Sequence, residues 1–111
     1  MSNGYFKEEE VAGLNPVLVR MLNRARTFAG IPFIVTSGLR TPEKNAEVGG
    51  KEDSAHLTGL ACDIQCTNNE ERANIMKGAI FAGFKRIGIG KGHIHLDIDH
   101  EKPYPRIFIE E

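Results

Sequence analysis

Residues 92–98 read Gly-His-Ile-His-Leu-Asp-Ile, GHIHLDI, and this stretch decides how the rest of the chain is read. Apolar and polar residues alternate in it with a period of two, the pattern of a strand with two unlike faces. His93, His95 and Asp97 share one face, and Ile94, Leu96 and Ile98 share the other. Three side chains able to bind metal thus stand on a surface whose reverse is aliphatic. Just upstream, Arg86-Ile87-Gly88-Ile89 reads as a second strand, and the turn-forming Gly90-Lys91-Gly92 makes the two a hairpin.

Working outward, a further strand is predicted from Leu60 to Cys66, and a short β-branched one over Phe33-Ile34-Val35-Thr36-Ser37, which breaks at Gly38. Two helices are predicted. In the first, Asn15 caps, Pro16 takes the first helical position, and Val17, Leu18, Met21, Leu22, Ala25, Phe28 and Ala29 recur at helical spacing until Gly30. In the second, Asn68 and Glu71 resemble a capping box, and Ala73, Ile75, Met76, Ala79, Ile80 and Ala82 form a broad apolar face before Gly83. Both read as scaffold. The polar stretch from Arg40 to about Ser54 is expected as a long loop, and a loop of that length in so small a domain is usually functional. The tail from Pro103 to Ile109 is expected at a sheet edge, because prolines argue against a central strand. Together these elements predict an α+β domain: a small, mainly antiparallel sheet with helices packed on one side.

Fourteen Lys plus Arg against fifteen Asp plus Glu give a net charge of -1 over 111 residues, with 41% apolar and 26% charged side chains. That is the composition of one folded domain, residues 1–111, rather than of a disordered chain or a disulfide-stapled miniprotein. The absence of a broad basic field argues against nucleic acid or an anionic membrane surface as partner, and a monomer is expected. No apolar run follows a basic start, so cytosolic synthesis is expected. Cys62 and Cys66 would lie about 13 Å apart on an extended segment, too far for a disulfide, and are read as buried free thiols.

The chemistry concentrates in residues 54–64, SAHLTGLACDI, which hold His56 and Asp63, and in GHIHLDI. Two imidazoles and one carboxylate make a three-ligand zinc set that leaves a fourth position for water or substrate, the catalytic pattern rather than the structural one. Such an ion lowers the pKa of its bound water from about 16 to about 7 and polarises a carbonyl, so amide hydrolysis lies within its reach. A neutral imidazole nearby can move the proton to the leaving amine or steady the oxyanion. Asp97, on the same strand face as His93, suits an orienting role behind that imidazole. The guanidinium fork of Arg40 suits a carboxylate or a polarised carbonyl oxygen, with a surface ion pair to an acid of the following loop as the alternative. Ser54 could donate a further hydrogen bond to substrate, or serve as a turn or cap residue. Asp99 and His100 are expected to be solvent-exposed and are assigned nothing.

Nearly the whole chain resembles the zinc D-alanyl-D-alanine metallopeptidases, a group of D-Ala-D-Ala carboxypeptidases, dipeptidases and phage endolysins that shares its fold with the hedgehog signalling domain. The segments YFKEEE, TSGLRTPEKNAEVGG, SAHLTGLACDI and GIGKGHIHLDI occur in the family order, the most specific parts being His56-x6-Asp63 and His93-x-His95. The resemblance implies Zn2+ held by His56, Asp63 and His95, His93 as the catalytic group facing the reacting bond, and Arg40 in contact with substrate. It implies cleavage of stem or cross-bridge peptides of bacterial peptidoglycan, by a carboxypeptidase-like or an endolysin-type endopeptidase activity. An enzyme of the latter kind would act on the wall after release from the cytoplasm, as a phage or prophage lysin does. One position departs from the pattern. Several branches of the family carry a glutamate base three residues before the second histidine, and here that residue is Gly92. The alternative that this leaves open is a noncatalytic, zinc-stabilised binding domain of the same fold.

Overall fold

The computed structural model describes residues 4–110. Its elements are α1 (Pro16–Ala29), β1 (Val35–Ser37), α2 (Pro42–Glu47), β2 (Ala61–Gln65), α3 (Asn69–Ala82), β3 (Arg86–Ile89), β4 (His93–Asp97) and β5 (Arg106–Ile109), with 3-10 turns at Glu8–Glu10 and Ala55–Thr58. The five strands lie in the order β1-β2-β4-β3-β5. Every pairing is antiparallel except that of β3 with β5, so the fold is α+β with a mostly antiparallel sheet.

The signals read for α1 and α3 act as physical stops and starts. Asn15 Oδ1 accepts from the Val17 N–H at 2.8 Å, and Gly30 closes the helix in the left-handed region at φ 73°. At α3, Asn68 Oδ1 accepts from the Glu71 N–H at 2.8 Å, while the Glu71 carboxylate reaches back to the Thr67 N–H. The two helices pack against each other at Gly78, where a Cβ would stand 2.2 Å from the Ala25 carbonyl oxygen. Leu18, Leu22, Ile75 and Ala79 then meet Cys62, Ile64, Ile87, Ile94 and Leu96 of the sheet to form the core. The apolar faces are narrower than periodicity suggests. Val17, Phe28 and Ile80 stay exposed, Phe28 stacking edge-on to Phe81. Cys62 and Cys66 are buried free thiols, and burial pushes the Cys62 thiol far above its usual range.

Three expectations need correction. The first strand holds only Val35–Ser37, with an irregular register where it meets β2. The stretch from Arg40 to Ser54 is not one long loop. Thr41 accepts from the Lys44 N–H and Pro42 occupies the first turn, starting α2 by the same device as Asn15-Pro16. Asp99 is buried rather than exposed, because Lys102 reaches it while also donating to the Asp53 carbonyl, pinning the segment after β4 to the loop before the 3-10 turn.

With Ile94 and Leu96 buried under α1 and α3, the period of two turns His93, His95 and Asp97 to the opposite face. In the β2–β4 ladder Asp63 stands directly across from His95. The pairing of two core strands therefore brings together a carboxylate and an imidazole that are 32 residues apart in sequence.

Candidate metal centre

His56 reaches the Asp63–His95 pair from the 3-10 turn. Ser54 caps this turn by accepting from the His56 N–H at 3.2 Å, and Gly59 ends it at φ 75°. Gly59 also allows a close approach, since a Cβ there would lie 2.5 Å from the Gly13 carbonyl oxygen. The Arg40 N–H holds the backbone carbonyl of His56 at 2.9 Å. His56, Asp63 and His95 are all buried, at 2%, 6% and 6% exposure.

Both rings have one nitrogen committed. His56 Nδ1 lies 2.8 Å from the Gly38 carbonyl oxygen, which can only accept, so Nδ1 carries a proton and Nε2 is the inward atom. His95 Nε2 donates to Asp97 Oδ2 at 2.7 Å, which leaves Nδ1 as the inward atom. These inward nitrogens lie 3.3 Å and 3.1 Å from Asp63 Oδ1. Tetrahedral zinc with bonds of 2.0–2.1 Å has donor atoms roughly 3.3 Å apart, and the donor atoms of the three residues all fall within 4.8 Å of one another. Donor type, tautomer and spacing fit a divalent cation. Asp97 supplies the outer carboxylate that fixes a ligating ring, and it is itself held by Arg86 Nε at 2.8 Å and the Asp99 N–H at 3.0 Å.

The electrostatics show the same demand for positive charge. Burial opposes ionisation of Asp63, but hydrogen bonds from His56 and His95 outweigh it and hold the carboxyl well below its usual range. Burial also opposes a charged His95, yet its bonds to Asp63 and Asp97 prevail and raise it to about 9. Arg40 adds a cation at the rim, its Nη2 3.5 Å from Asp63 Oδ2. Nε donates to Ser37 Oγ and Nη1 to Asn45 Oδ1, each at 3.2 Å. Its acidic partner is thus Asp63 in the cluster, and not an acid of the following loop.

His93 sits beside the cluster at the sheet surface, and its Nε2 bonds Glu110 Oε1 at 2.7 Å. Asp97 orients His95 rather than His93. An open cleft of about 540 Å3 runs past His95 and Asp97, walled by Ser54, Arg86, Phe108 and Glu110. Among these, Phe108, whose ring centroid lies 5.7 Å from that of His95, and Glu110 were missed by motif reading, as was Asn45 behind Arg40. The alternation Phe108-Ile109-Glu110 was the available signal, but it becomes informative only when the register of β5 is known. His100 is exposed, as expected.

No curated protein matches this chain. Among solved structures, the L-Ala D-Glu endopeptidase ChiX of Serratia marcescens has a similar fold, with a TM-score of 0.60 and 23% sequence identity over 85% of this chain and 86% of that one. The family whose model the sequence matches, over residues 1–97, is Peptidase M15, and this chain is a member of it.

Proposed function

We propose that the protein is a zinc-dependent peptidase that cleaves peptide bonds in bacterial cell-wall peptidoglycan, with His56, Asp63 and His95 as the metal ligands. The observation that carries this reading is the cluster itself: three buried donors at zinc spacing, with the outward nitrogen of each ring tied to an acceptor. When bound, the ion supplies a polarised carbonyl and an activated water. Membership in a peptidase family supports hydrolysis of peptide bonds. The activity of the similarly folded ChiX, an L-Ala D-Glu endopeptidase, favours an internal stem-peptide bond over a terminal D-Ala-D-Ala bond.

The surrounding residues take roles that their contacts support. Of the three polar contacts of the Arg40 guanidinium, the one to Asp63 is the longest, and a substrate carboxylate or carbonyl oxygen can displace it while Ser37 and Asn45 keep the fork aimed. His93 belongs to the proton-handling machinery beside the scissile bond. Ser54 lines the cleft, and its hydroxyl hydrogen remains available to substrate while its oxygen caps the turn. The protein acts as a monomeric metallopeptidase domain on the wall after leaving the cytoplasm.

The test is elemental analysis of purified protein together with mass spectrometry of peptidoglycan digested by it. One zinc per chain and fragments cut at a single stem or cross-bridge bond are expected, and Asp63→Ala should lose most of the metal and the activity. Zinc-loaded, folded protein that leaves peptidoglycan uncut would refute the enzymatic reading in favour of a zinc-stabilised binding domain.

A further inference from the structure

β5 ends beside the metal-ligand cluster, and the residue that follows it carries a carboxylate into the site. The Glu110 N–H donates to the Ile89 carbonyl at 2.9 Å, continuing the parallel pairing with β3. Gly88 pairs with His95 on one side and with Phe108 on the other, so Phe108 and, two residues on, Glu110 project from the face that bears His95. Glu110 Oε1 accepts from His93 Nε2 at 2.7 Å. Its other oxygen lies 4.0 Å from His95 Nδ1, the ring atom turned toward Asp63. Donor atoms of Asp63, His93 and Glu110 all fall within 4.8 Å of one another.

The sheet is hollowed to hold this pair. A Cβ on Gly88 would come within 3.1 Å of both Glu110 Cγ and Cδ and within 2.7 Å of Phe108 Cε2. A Cβ on Gly90 would enter the His93 ring, at 2.2 Å from Cε1 and 2.6 Å from either nitrogen. Both side chains therefore occupy space that only glycine leaves free. Another carboxylate at the cleft, Asp97, is committed to His95, Arg86 and the Asp99 N–H. Glu110 is half-open to the cleft, its side chain 33% exposed.

We propose that Glu110 and His93 form one proton-handling pair, in which the Glu110 carboxylate takes the proton and His93, through its Nε2–H, positions that carboxylate. The proposal rests on the peptidase reading above. As the oxygen of the attacking water bonds to the scissile carbonyl carbon, Glu110 receives a proton from that water. As the C–N bond breaks, the same proton passes to the leaving nitrogen. The products are a carboxylic acid and an amine, and Glu110 returns to its starting state.

The test compares wild type with Glu110→Gln, Glu110→Asp, His93→Ala and the Gln/Ala double variant in zinc content, thermal unfolding and turnover of peptidoglycan peptides. Glu110→Gln should keep one zinc, the wild-type unfolding temperature and a near-unchanged KM while kcat falls about 10²–10⁴-fold, and Glu110→Asp should recover part of that loss. The double variant should be no slower than the slower single one, because the two residues act as a unit. A wild-type kcat in Glu110→Gln overturns the proposal, and so does multiplication of the two single losses. Loss of zinc in step with activity would make Glu110 a ligand instead. Two ions in wild type and one in Glu110→Gln would make it part of a second metal site. Nitrogen NMR of the His93 ring reads the pair without turnover: wild type should hold the Nε2–H tautomer and Glu110→Ala a mixture. An unchanged tautomer sinks the pair even if the enzyme is active. A wild type that cuts no peptidoglycan while the tautomer shifts as expected refutes the substrate reading and leaves the pairing standing.

Discussion

Replacing Asp97 by Asn tests whether the metal cluster depends on what stands behind it. The Asp97 carboxylate is 2% exposed and accepts three hydrogen bonds, from His95 Nε2, Arg86 Nε and the Asp99 N–H. An Asn side chain has one oxygen left for these donors, and its NH2 must face at least one of them, donor against donor. One unsatisfied buried donor costs about 1–3 kcal/mol, and breaking a buried ion pair from one side costs about 3–5 kcal/mol. Arg86 retains the Pro103 carbonyl at 2.7 Å, which places the loss at the lower end, about 3 kcal/mol. At roughly 4–8 °C per kcal/mol for a domain near this size, Tm should fall by about 12–24 °C. Zinc affinity should fall about 10–100-fold, because the His95 ring loses the acceptor that fixes its tautomer. Urea unfolding of metal-free protein measures the first effect, and competition with a chromogenic chelator measures the second. Asp97→Asn with wild-type zinc affinity would refute the orienting role, even if stability fell as expected.

Two further perturbations probe the rim and the charge balance. Arg40→Lys keeps the charge but loses the fork, so kcat/KM should drop by about 10–150-fold, the equivalent of a charge-assisted hydrogen bond of roughly 1.5–3 kcal/mol, with zinc content unchanged; wild-type kcat/KM would remove Arg40 from the substrate site. In chelator-treated protein, His95 is raised from its ordinary 6.5 to about 9, so the stability it contributes is full below about pH 6.5 and lost as pH rises through about 9. Asp63 is lowered, so its contribution is present above its ordinary pKa of about 4 and lost as pH falls below it. Thermal melts of the metal-free protein should therefore peak between about pH 4 and 6.5 and decline toward pH 9, by at most about 1.4 kcal/mol per pH unit for the one group. A flat Tm from pH 6.5 to 9 would contradict the ion-paired state of His95.

The legible parts of the fold are those whose cause is local. Alternation over residues 93–98 names the buried face of β4 without any knowledge of its neighbours, and Asn15-Pro16 and Gly30 bound α1 by backbone chemistry alone. The same cap-and-proline signal at Thr41-Pro42 was present, but a helix of six residues has too few turns to show apolar periodicity, and its one buried residue is the polar Asn45. The 3-10 turn that presents His56 is shorter still. Its position depends on Gly59 meeting Gly13, a contact across 46 residues that no window of sequence contains.

The same distinction runs through the site. A period of two places His93 and His95 on one strand face and cannot say which of them points at Asp63. The β2–β4 register decides, because it sets His95 opposite Asp63 and His93 opposite Gln65, two pairs further toward the hairpin turn. Asp97, on the other side of His95, then meets its outward nitrogen, so the three alternate residues of one strand come to hold three different positions relative to the cluster. Glu110 was the least legible of all, since only the parallel β3–β5 pairing carries it to His93. Residues whose partners lie on the neighbouring strand of a hairpin can be guessed from spacing. Those delivered by the parallel edge strand need the register, and in this chain that strand brings in the carboxylate that bonds His93 beside the cluster.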